Sequence, residues 1–204
     1  MNSGGNRGMR NTEGSRRALR MEPRGPALAR RGRLYGAGRD SCPENLSRLF
    51  EKRYASWVVG TVDSGTFAYE TARDRVLATP GTVIFGNARE CFTCRQTGPD
   101  GNRRSIVAFD QTLMAEMAEA LRLDDVAFNV VAVPPGPRSA WLYAFIRRLV
   151  QSREAHDEAV IELLASILSI GREPRRWRTG RREASRVLKV VRYLERHFAE
   201  PQNL

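Results

Sequence analysis

Residues 54–133 carry short stretches in which hydrophobic and polar residues alternate, separated by turn residues. The stretch "TFAYE" places Phe67 and Tyr69 on one face of an extended chain. Asp63-Ser64-Gly65 and Pro80-Gly81 are turn signals, because proline fixes its own φ and glycine tolerates a positive φ. Strands this short and this closely spaced predict a small antiparallel barrel or sandwich.

The second half of the chain changes to helical spacing. A helix is predicted to begin at Asp110, whose side chain can cap it; its apolar face consists of Leu113, Met117, Ala120 and Leu121. Residues 126–133, "VAFNVVAV", predict a return to a strand, and "PPGPR" then interrupts the chain. Two further helices are predicted at 139–150 and 159–170, as antiparallel neighbours because the link between them is short. Their apolar stripes consist of Trp141, Leu142, Phe145 and Leu149 in the first and Val160, Leu163, Leu164, Ile167 and Leu168 in the second.

The positive charge is concentrated in two segments. The 204 residues carry a net charge of +11, and residues 1–40 hold ten arginines, three acidic residues and eight of the seventeen glycines. We expect this segment to be a disordered basic tail. Residues 172–182, "REPRRWRTGRR", hold six arginines and one glutamate, and we expect a solvated linker. The remainder is nearly neutral, which is not the balance of a nucleic-acid-binding domain.

Residues 183–204 predict one isolated amphipathic helix. Val187, Val191, Leu194 and Phe198 fall on one helical face, and Glu200-Pro201 ends the helix. So short a helix is marginal alone and needs a surface that buries its stripe.

Two stretches resemble the AraC family of transcriptional regulators. "RVLKVVRYLERHFAEPQNL", Arg186–Leu204, resembles the first helix of the AraC-type DNA-binding domain. "GTFAYETARDRVLATPGTVIFGNARECFTC", Gly65–Cys94, resembles the family's amino-terminal sensor domain, which is a cupin-like barrel. The resemblance implies an α+β fold: a sensor barrel at 41–135, a helical dimerisation element at 136–171, the linker, and the first helix of a truncated DNA-binding domain. It also implies a bacterial, cytoplasmic regulator.

The resemblance implies a small-molecule effector and a homodimer. The effector site would use barrel aromatics, namely Trp57, Phe67, Tyr69, Phe85 and Phe92, although alternation alone does not tell which of them face a pocket. The dimer would form through Trp141, Phe145, Leu149, Leu163, Leu164, Ile167 and Leu168. In the full-length family DNA is the partner. Here the recognition helices are missing from the 204 residues, so only weak phosphate contacts are expected, from Arg175, Arg176, Arg178, Arg181 and Arg182.

Metal and redox chemistry find little support in the sequence. Cys91 and Cys94 form C-x-x-C, but residues three apart in a strand face opposite sides, so we expect two ordinary thiols. The predicted barrel contains no histidine, since His156 and His197 are the only two in the chain. We therefore expect no metal, no cofactor and no enzymatic activity. The absence of a long apolar run and of a signal-like segment makes the cytoplasm the expected location, without a membrane partner.

The sequence leaves two alternative functions open. One is a metal-free cupin-type enzyme acting on a small sugar-like substrate through Glu70, Glu90 or Asp110. The other is a pairing module that antagonises full-length relatives through mixed dimers.

Overall fold

Ten strands and three helices make up the part of the chain that the structure describes. The structure is a computed structural model, and it describes residues 27–30, 34–42, 50–97, 101–154 and 156–170. The strands are β1 (Ala27–Arg30), β2 (Tyr35–Cys42), β3 (Phe50–Arg53), β4 (Trp57–Ser64), β5 (Phe67–Thr71), β6 (Arg75–Ala78), β7 (Val83–Gly86), β8 (Cys91–Gln96), β9 (Asn102–Phe109) and β10 (Ala132–Val133). The helices are α1 (Gln111–Ala120), α2 (Pro137–Gln151) and α3 (Asp157–Ile170). The linker and terminal helix predicted for 172–204 lie outside the described residues.

The strands form two antiparallel sheets. The larger sheet has six strands in the order β1-β2-β9-β4-β7-β10, and the smaller has four in the order β3-β8-β5-β6. Every pairing in both sheets is antiparallel. The predicted α+β class, with antiparallel β structure ahead of the last two helices, is confirmed at this level.

The two faces of the larger sheet belong to two different hydrophobic cores. Val107 and Phe109 of β9 pack with residues of the three helices, including Leu113, Ile146 and Leu164. The opposite face of the sheet meets the smaller sheet, where a second core contains Val62, Phe67, Tyr69, Ile84, Phe92 and Cys94. Because successive strand residues point to opposite sides, a single strand contributes to both cores.

Local turn and cap chemistry follows the sequence closely. Gly81 has a φ of 86°, as the Pro80-Gly81 turn predicts. Asp110 caps α1 as predicted, since its carboxylate accepts a hydrogen bond from the Thr112 amide at 2.8 Å. Leu113 and Met117 of the predicted apolar face are buried, whereas Ala120 and Leu121 are exposed and Met114 is buried in their place.

The expected disorder of residues 1–40 is wrong for β1 and for the first part of β2. Gly36 and Gly38 made this segment look unstructured, but strand pairing does not require a side chain. Residues 35–42 pair with β9 along their whole length, and β1 pairs with β2. The antiparallel β structure, predicted to begin at 41, therefore begins at Ala27.

The strand predicted at 126–133 is reduced to Ala132–Val133. The Asn87 side chain donates to the Phe128 carbonyl at 3.2 Å and accepts from the Phe128 amide at 2.8 Å. Both backbone groups of Phe128 are therefore bonded to a side chain rather than to a neighbouring strand. The alternation of apolar residues here reflects burial of Phe128 and Val131 in a loop.

Candidate ligand-binding site

A cavity of about 230 Å³ lies between the two sheets. Its walls come from β1, β2, β3, β4, β8 and β9 and from the segment that joins β3 to β4; the lining residues are Leu28, Asp40, Lys52, Arg53, Tyr54, Ala55, Ser56, Val58, Phe92, Arg104, Ile106 and Ala108. A concave, mostly apolar site with a few polar groups is the usual form of a small-molecule site.

Small residues on the larger sheet make room for this cavity. Gly36 and Gly38 of β2 lie opposite Ala108 and Ile106 of β9, and cross-strand partners share one face of a sheet. The glycines contribute no side chain to that face. The same two glycines that concealed β2 in the sequence thus leave space between the sheets.

Arg104 is the main charged group within this interior. It is 2% exposed, and its guanidinium pairs with the Asp40 carboxylate, its cross-strand partner. It also lies 5.4 Å from the centre of the Phe67 ring and donates to Cys94 Sγ at 3.7 Å. Burial by itself lowers the pKa of Arg104, but the neighbouring Cys94 and Asp40 raise it, and the net direction is upward. The guanidinium therefore stays charged, and its Nε has no hydrogen-bond partner among the described residues.

Two tyrosines and a phenylalanine form an aromatic cluster beside Arg104. The Tyr54 ring stacks on Phe92 with centroids 4.1 Å apart, and its hydroxyl lies 3.0 Å from that of Tyr69. Burial raises the pKa of both tyrosines well above the ordinary value. Both hydroxyls therefore remain protonated hydrogen-bonding groups over the neutral pH range. Tyr54 also closes against Gly86, whose missing side chain leaves the space that the ring fills.

Two further basic residues lie at the edge of the cavity. Lys52 is half-buried, and its cross-strand partner is Phe92, so its side chain shares the inward face of the smaller sheet. Arg53 is exposed and donates to Cys91 Sγ at 3.4 Å. The cavity thus has three basic residues and one acidic residue in its lining.

The five aromatic residues predicted for the effector site divide between the two cores. Phe67, Tyr69 and Phe92 lie together between the sheets, and only Phe92 of the five lines the cavity. Phe85 packs on the opposite face, edge-to-face with Phe128 at 5.5 Å, and Trp57 contacts that same core. Sequence reasoning missed Arg104, Asp40 and Lys52. Arg103 and Arg104 are adjacent in the sequence, and nothing local in it distinguishes the buried one from the exposed one.

Most of the residues predicted for dimerisation are buried in the core of the chain itself. Leu149, Leu163, Leu164, Ile167 and Leu168 are buried in the core between the larger sheet and the helices. Trp141 is 43% exposed, and it meets the partly buried Phe145 edge-to-face at 6.5 Å. These two residues are the part of the predicted surface that another molecule can reach.

The carboxylates considered for acid–base chemistry have structural partners away from the cavity. Glu90 forms two contacts with the Arg73 guanidinium, at 2.7 and 2.8 Å, and Arg73 also donates to the Phe128 carbonyl. Glu70 lies 3.7 Å from Arg75, and Asp110 caps α1. Within the described ranges, no three His, Cys, Asp or Glu side chains are grouped as a metal site requires. Cys42, Cys91 and Cys94 are free thiols.

A second groove, of about 410 Å³, is larger but differs in character. It is lined by Arg39, Asp40, Ser41, Asp63, Arg103 and Arg147, most of which are exposed. No hydrophobic residue is among the described ones that line this groove, so the smaller cavity between the sheets is the better candidate for a small-molecule site.

A family profile covers most of the residues that line this cavity. The profile of the family described as "AraC-like ligand binding domain" matches residues 36–168, more than half of the chain. The chain belongs to the AraC-like ligand-binding domain family. The resemblance of Gly65–Cys94 to the family's sensor domain is therefore confirmed, and the resemblance noted at Arg186–Leu204 lies outside the matched residues. The strands that line the cavity, apart from β1, lie within or largely within the matched residues.

Solved structures of AraC-type regulators share the fold. ToxT from Vibrio cholerae is similar over 83% of this chain and 68% of its own, at 10% identity and a TM-score of 0.50. The AraC-like transcriptional activator CuxR is similar over 82% of this chain and 63% of its own, at 15% identity and a TM-score of 0.52. The cupin domain of Schizosaccharomyces pombe Cnp3 matches 49% of this chain and 72% of its own, at 12% identity and a TM-score of 0.37. The chain spans less than two thirds of the length of CuxR, and no curated protein matches its sequence.

Across the ranges that the structure describes, no helix combines the length and the apolar character needed to cross a membrane.

Proposed function

We propose that this chain is the effector-sensing and dimerisation part of an AraC-like transcriptional regulator. The observation that carries the proposal is the cavity between the two sheets of an AraC-like ligand-binding domain. A small molecule is the effector, and neither a metal nor a cofactor takes part. The buried Arg104–Asp40 pair supplies polar groups within a mostly apolar lining.

The larger sheet is the route by which the bound effector acts on the helices. Arg104, Ile106 and Ala108 of β9 line the cavity, while Val107 and Phe109 pack on the helical side. Helix α2 contacts β2, β4, β7 and β9. A ligand that shifts β9 therefore changes the surface on which α2 rests.

Helix α2 is the proposed dimerisation surface. Trp141 and Phe145 are accessible there, and a large exposed aromatic side chain is a common interface anchor. A two-fold pair brings this patch against its own copy. The other five residues that the sequence predicted for the dimer interface are buried leucine and isoleucine residues. They pack α2 and α3 against the larger sheet and do not contact the second copy.

Residues 183–204 resemble the first helix of the family's DNA-binding domain. This helix is not a recognition helix, and base readout needs a recognition helix in the major groove, so we expect no base-specific contacts from these residues. Arg175 and its neighbours in the linker support weak, salt-sensitive phosphate contacts at most. A footprint of this chain on a defined operator at physiological salt would contradict this part of the proposal.

The sensing role is tested with a cavity-filling variant and a matched control. A panel of small metabolites is screened by thermal shift against the wild type, Ala108→Leu and Ala115→Leu. Ala108 lines the cavity, whereas Ala115 is exposed on α1, so both variants add the same side chain in different places. Compounds that bind the cavity should stabilise the wild type and Ala115→Leu but not Ala108→Leu, and should alter amide exchange in α2. Binding that survives in Ala108→Leu, or a panel with no stabilising member, would count against the proposal.

A further inference from the structure

The cavity carries information about the chemical class of the effector. We propose that it takes a small molecule with one carboxylate on a compact apolar body, with Lys52 and Arg104 binding the carboxylate. This inference rests on the proposed sensing function and narrows it to one ligand class.

The charge balance of the lining favours an anion. Asp40, the acidic residue of the lining, is paired with Arg104 and therefore does not balance the positive charge of Lys52. Among the described residues, Lys52 forms no ion pair. A bound carboxylate supplies the missing counter-charge, and a charge-assisted hydrogen bond gains strength where water is excluded.

Arg104 also has donor capacity left over. One of its terminal nitrogens bonds to Asp40 and the other lies against Cys94, yet Nε is buried and has no partner within the described part of the chain. A buried donor without an acceptor is costly, and native proteins nearly always satisfy such groups. An acceptor oxygen brought by the ligand completes the hydrogen bonding of a guanidinium that is already 2% exposed and fixed by Asp40.

The remaining walls select the body of the ligand. Leu28, Val58, Phe92, Ile106 and Ala108 present carbon atoms to the cavity. At about 230 Å³ the space is smaller than the roughly 300–1,000 Å³ of sites for drug-sized molecules. We assign the charged end of the ligand to Arg104 and Lys52 and the rest of the ligand to these carbon-lined walls. This arrangement distinguishes an organic acid from a bare inorganic anion and from a sugar, whose hydroxyls would meet an apolar wall.

The test compares an acid with its uncharged isostere. Calorimetric titrations of the purified 204-residue chain use cyclohexanecarboxylate, cyclohexanecarboxamide and inorganic phosphate. The variants are Lys52→Gln and, as the control, Arg103→Gln, because Arg103 is adjacent to Arg104 but exposed on the opposite face. Arg104→Lys keeps the buried charge and removes the guanidinium, and its folding is checked by circular dichroism.

The acid is expected to bind the wild type at least about tenfold more tightly than the amide, as one charge-assisted hydrogen bond allows. Lys52→Gln and folded Arg104→Lys should each lose most of that preference, and Arg103→Gln should keep it. An amide that binds as tightly as the acid overturns the carboxylate inference and leaves the sensing function intact. Phosphate that binds as tightly as the acid also overturns it, because the apolar body would then play no part. If neither acid nor amide binds, the inference fails, and the sensing function is decided separately by the metabolite panel and Ala108→Leu.

Discussion

At the scale of single residues, Gly86 shows how one missing side chain shapes the site. A Cβ added at Gly86 would lie 2.1 Å from Cε2 of Tyr54, whose ring is held by stacking on Phe92. We predict that Gly86→Ala lowers the free energy of unfolding by about 1–3 kcal/mol, as overpacking typically does. Urea unfolding of the purified chain measures the change.

Gly60→Ala is the matched control for that substitution. A Cβ at Gly60 would lie 3.3 Å from the Ile84 side chain, which can yield slightly. We expect a stability within about 1 kcal/mol of the wild type, because a strand alanine also restricts the unfolded chain more than glycine does. If the two alanine variants were equally stable, the Tyr54 ring would not occupy the position next to Gly86 that the structure gives it.

We expect Tyr54, Tyr69 and Cys94 to make the free energy of unfolding depend on pH in the alkaline range. Burial raises the pKa of Tyr54, Tyr69 and Cys94 above the ordinary values of 10.0 for tyrosine and 9.0 for cysteine. The folded chain therefore keeps protons that the unfolded chain releases, so the stabilisation is complete below the ordinary pKa and is lost as pH rises towards the folded pKa. We predict a decline in the free energy of unfolding from about pH 8 to about pH 10.5.

The double variant Tyr54→Phe/Tyr69→Phe should decline less steeply over the same range, because it removes two of the three ionisable groups. Urea unfolding at several pH values measures both slopes. A slope unchanged by the double variant would mean that these hydroxyls are not the groups responsible.

Among the helices and strands, α1 is capped at its amino terminus by one side chain, that of Asp110. The Asp110 carboxylate accepts from the Thr112 amide at 2.8 Å. We predict that Asp110→Ala costs about 0.5–2 kcal/mol, whereas Asp110→Asn, which keeps an acceptor oxygen, remains near the wild type. Thermal unfolding followed by circular dichroism gives both values. Alanine and asparagine variants of equal stability would exclude a capping role.

Helices with a regular spacing of apolar residues were predictable from the sequence. Segments whose conformation depends on contacts with other parts of the chain were not. The apolar spacing at 139–150 and 159–170 led to α2 and α3 within two residues of their observed ends. The alternation at 126–133 was misleading because Asn87 takes both backbone groups of Phe128. Strand β2 was missed because its sequence has little of the alternation typical of a strand, and pairing with β9 determines its structure. The candidate site depends on which of two adjacent arginines faces inward, which only the register of β9 decides.

At the scale of the whole molecule, the exposed aromatic pair on α2 predicts self-association. We expect the wild type to be a dimer at micromolar concentration and Trp141→Glu to be a folded monomer, because Trp141 is 43% exposed and its loss leaves the core intact. Light scattering measures the mass, and circular dichroism checks the fold. Leu164→Glu is the contrasting variant: Leu164 is fully buried, so a charge there should unfold the chain rather than separate two copies. A monomeric wild type, or a dimeric Trp141→Glu, would reject the α2 interface.

Strand β9 has an evolutionary consequence that follows from its alternation. Its even-numbered residues from Arg104 to Ala108 face the cavity, and its odd-numbered residues Val107 and Phe109 face the helices. A mutation on one side of the strand alters the lining of the cavity, and a mutation on the other alters the helical packing. Under the proposed sensing role, descendants of one ancestral chain can therefore acquire new chemical specificities by single substitutions at 104, 106 and 108 while they keep the same helical side.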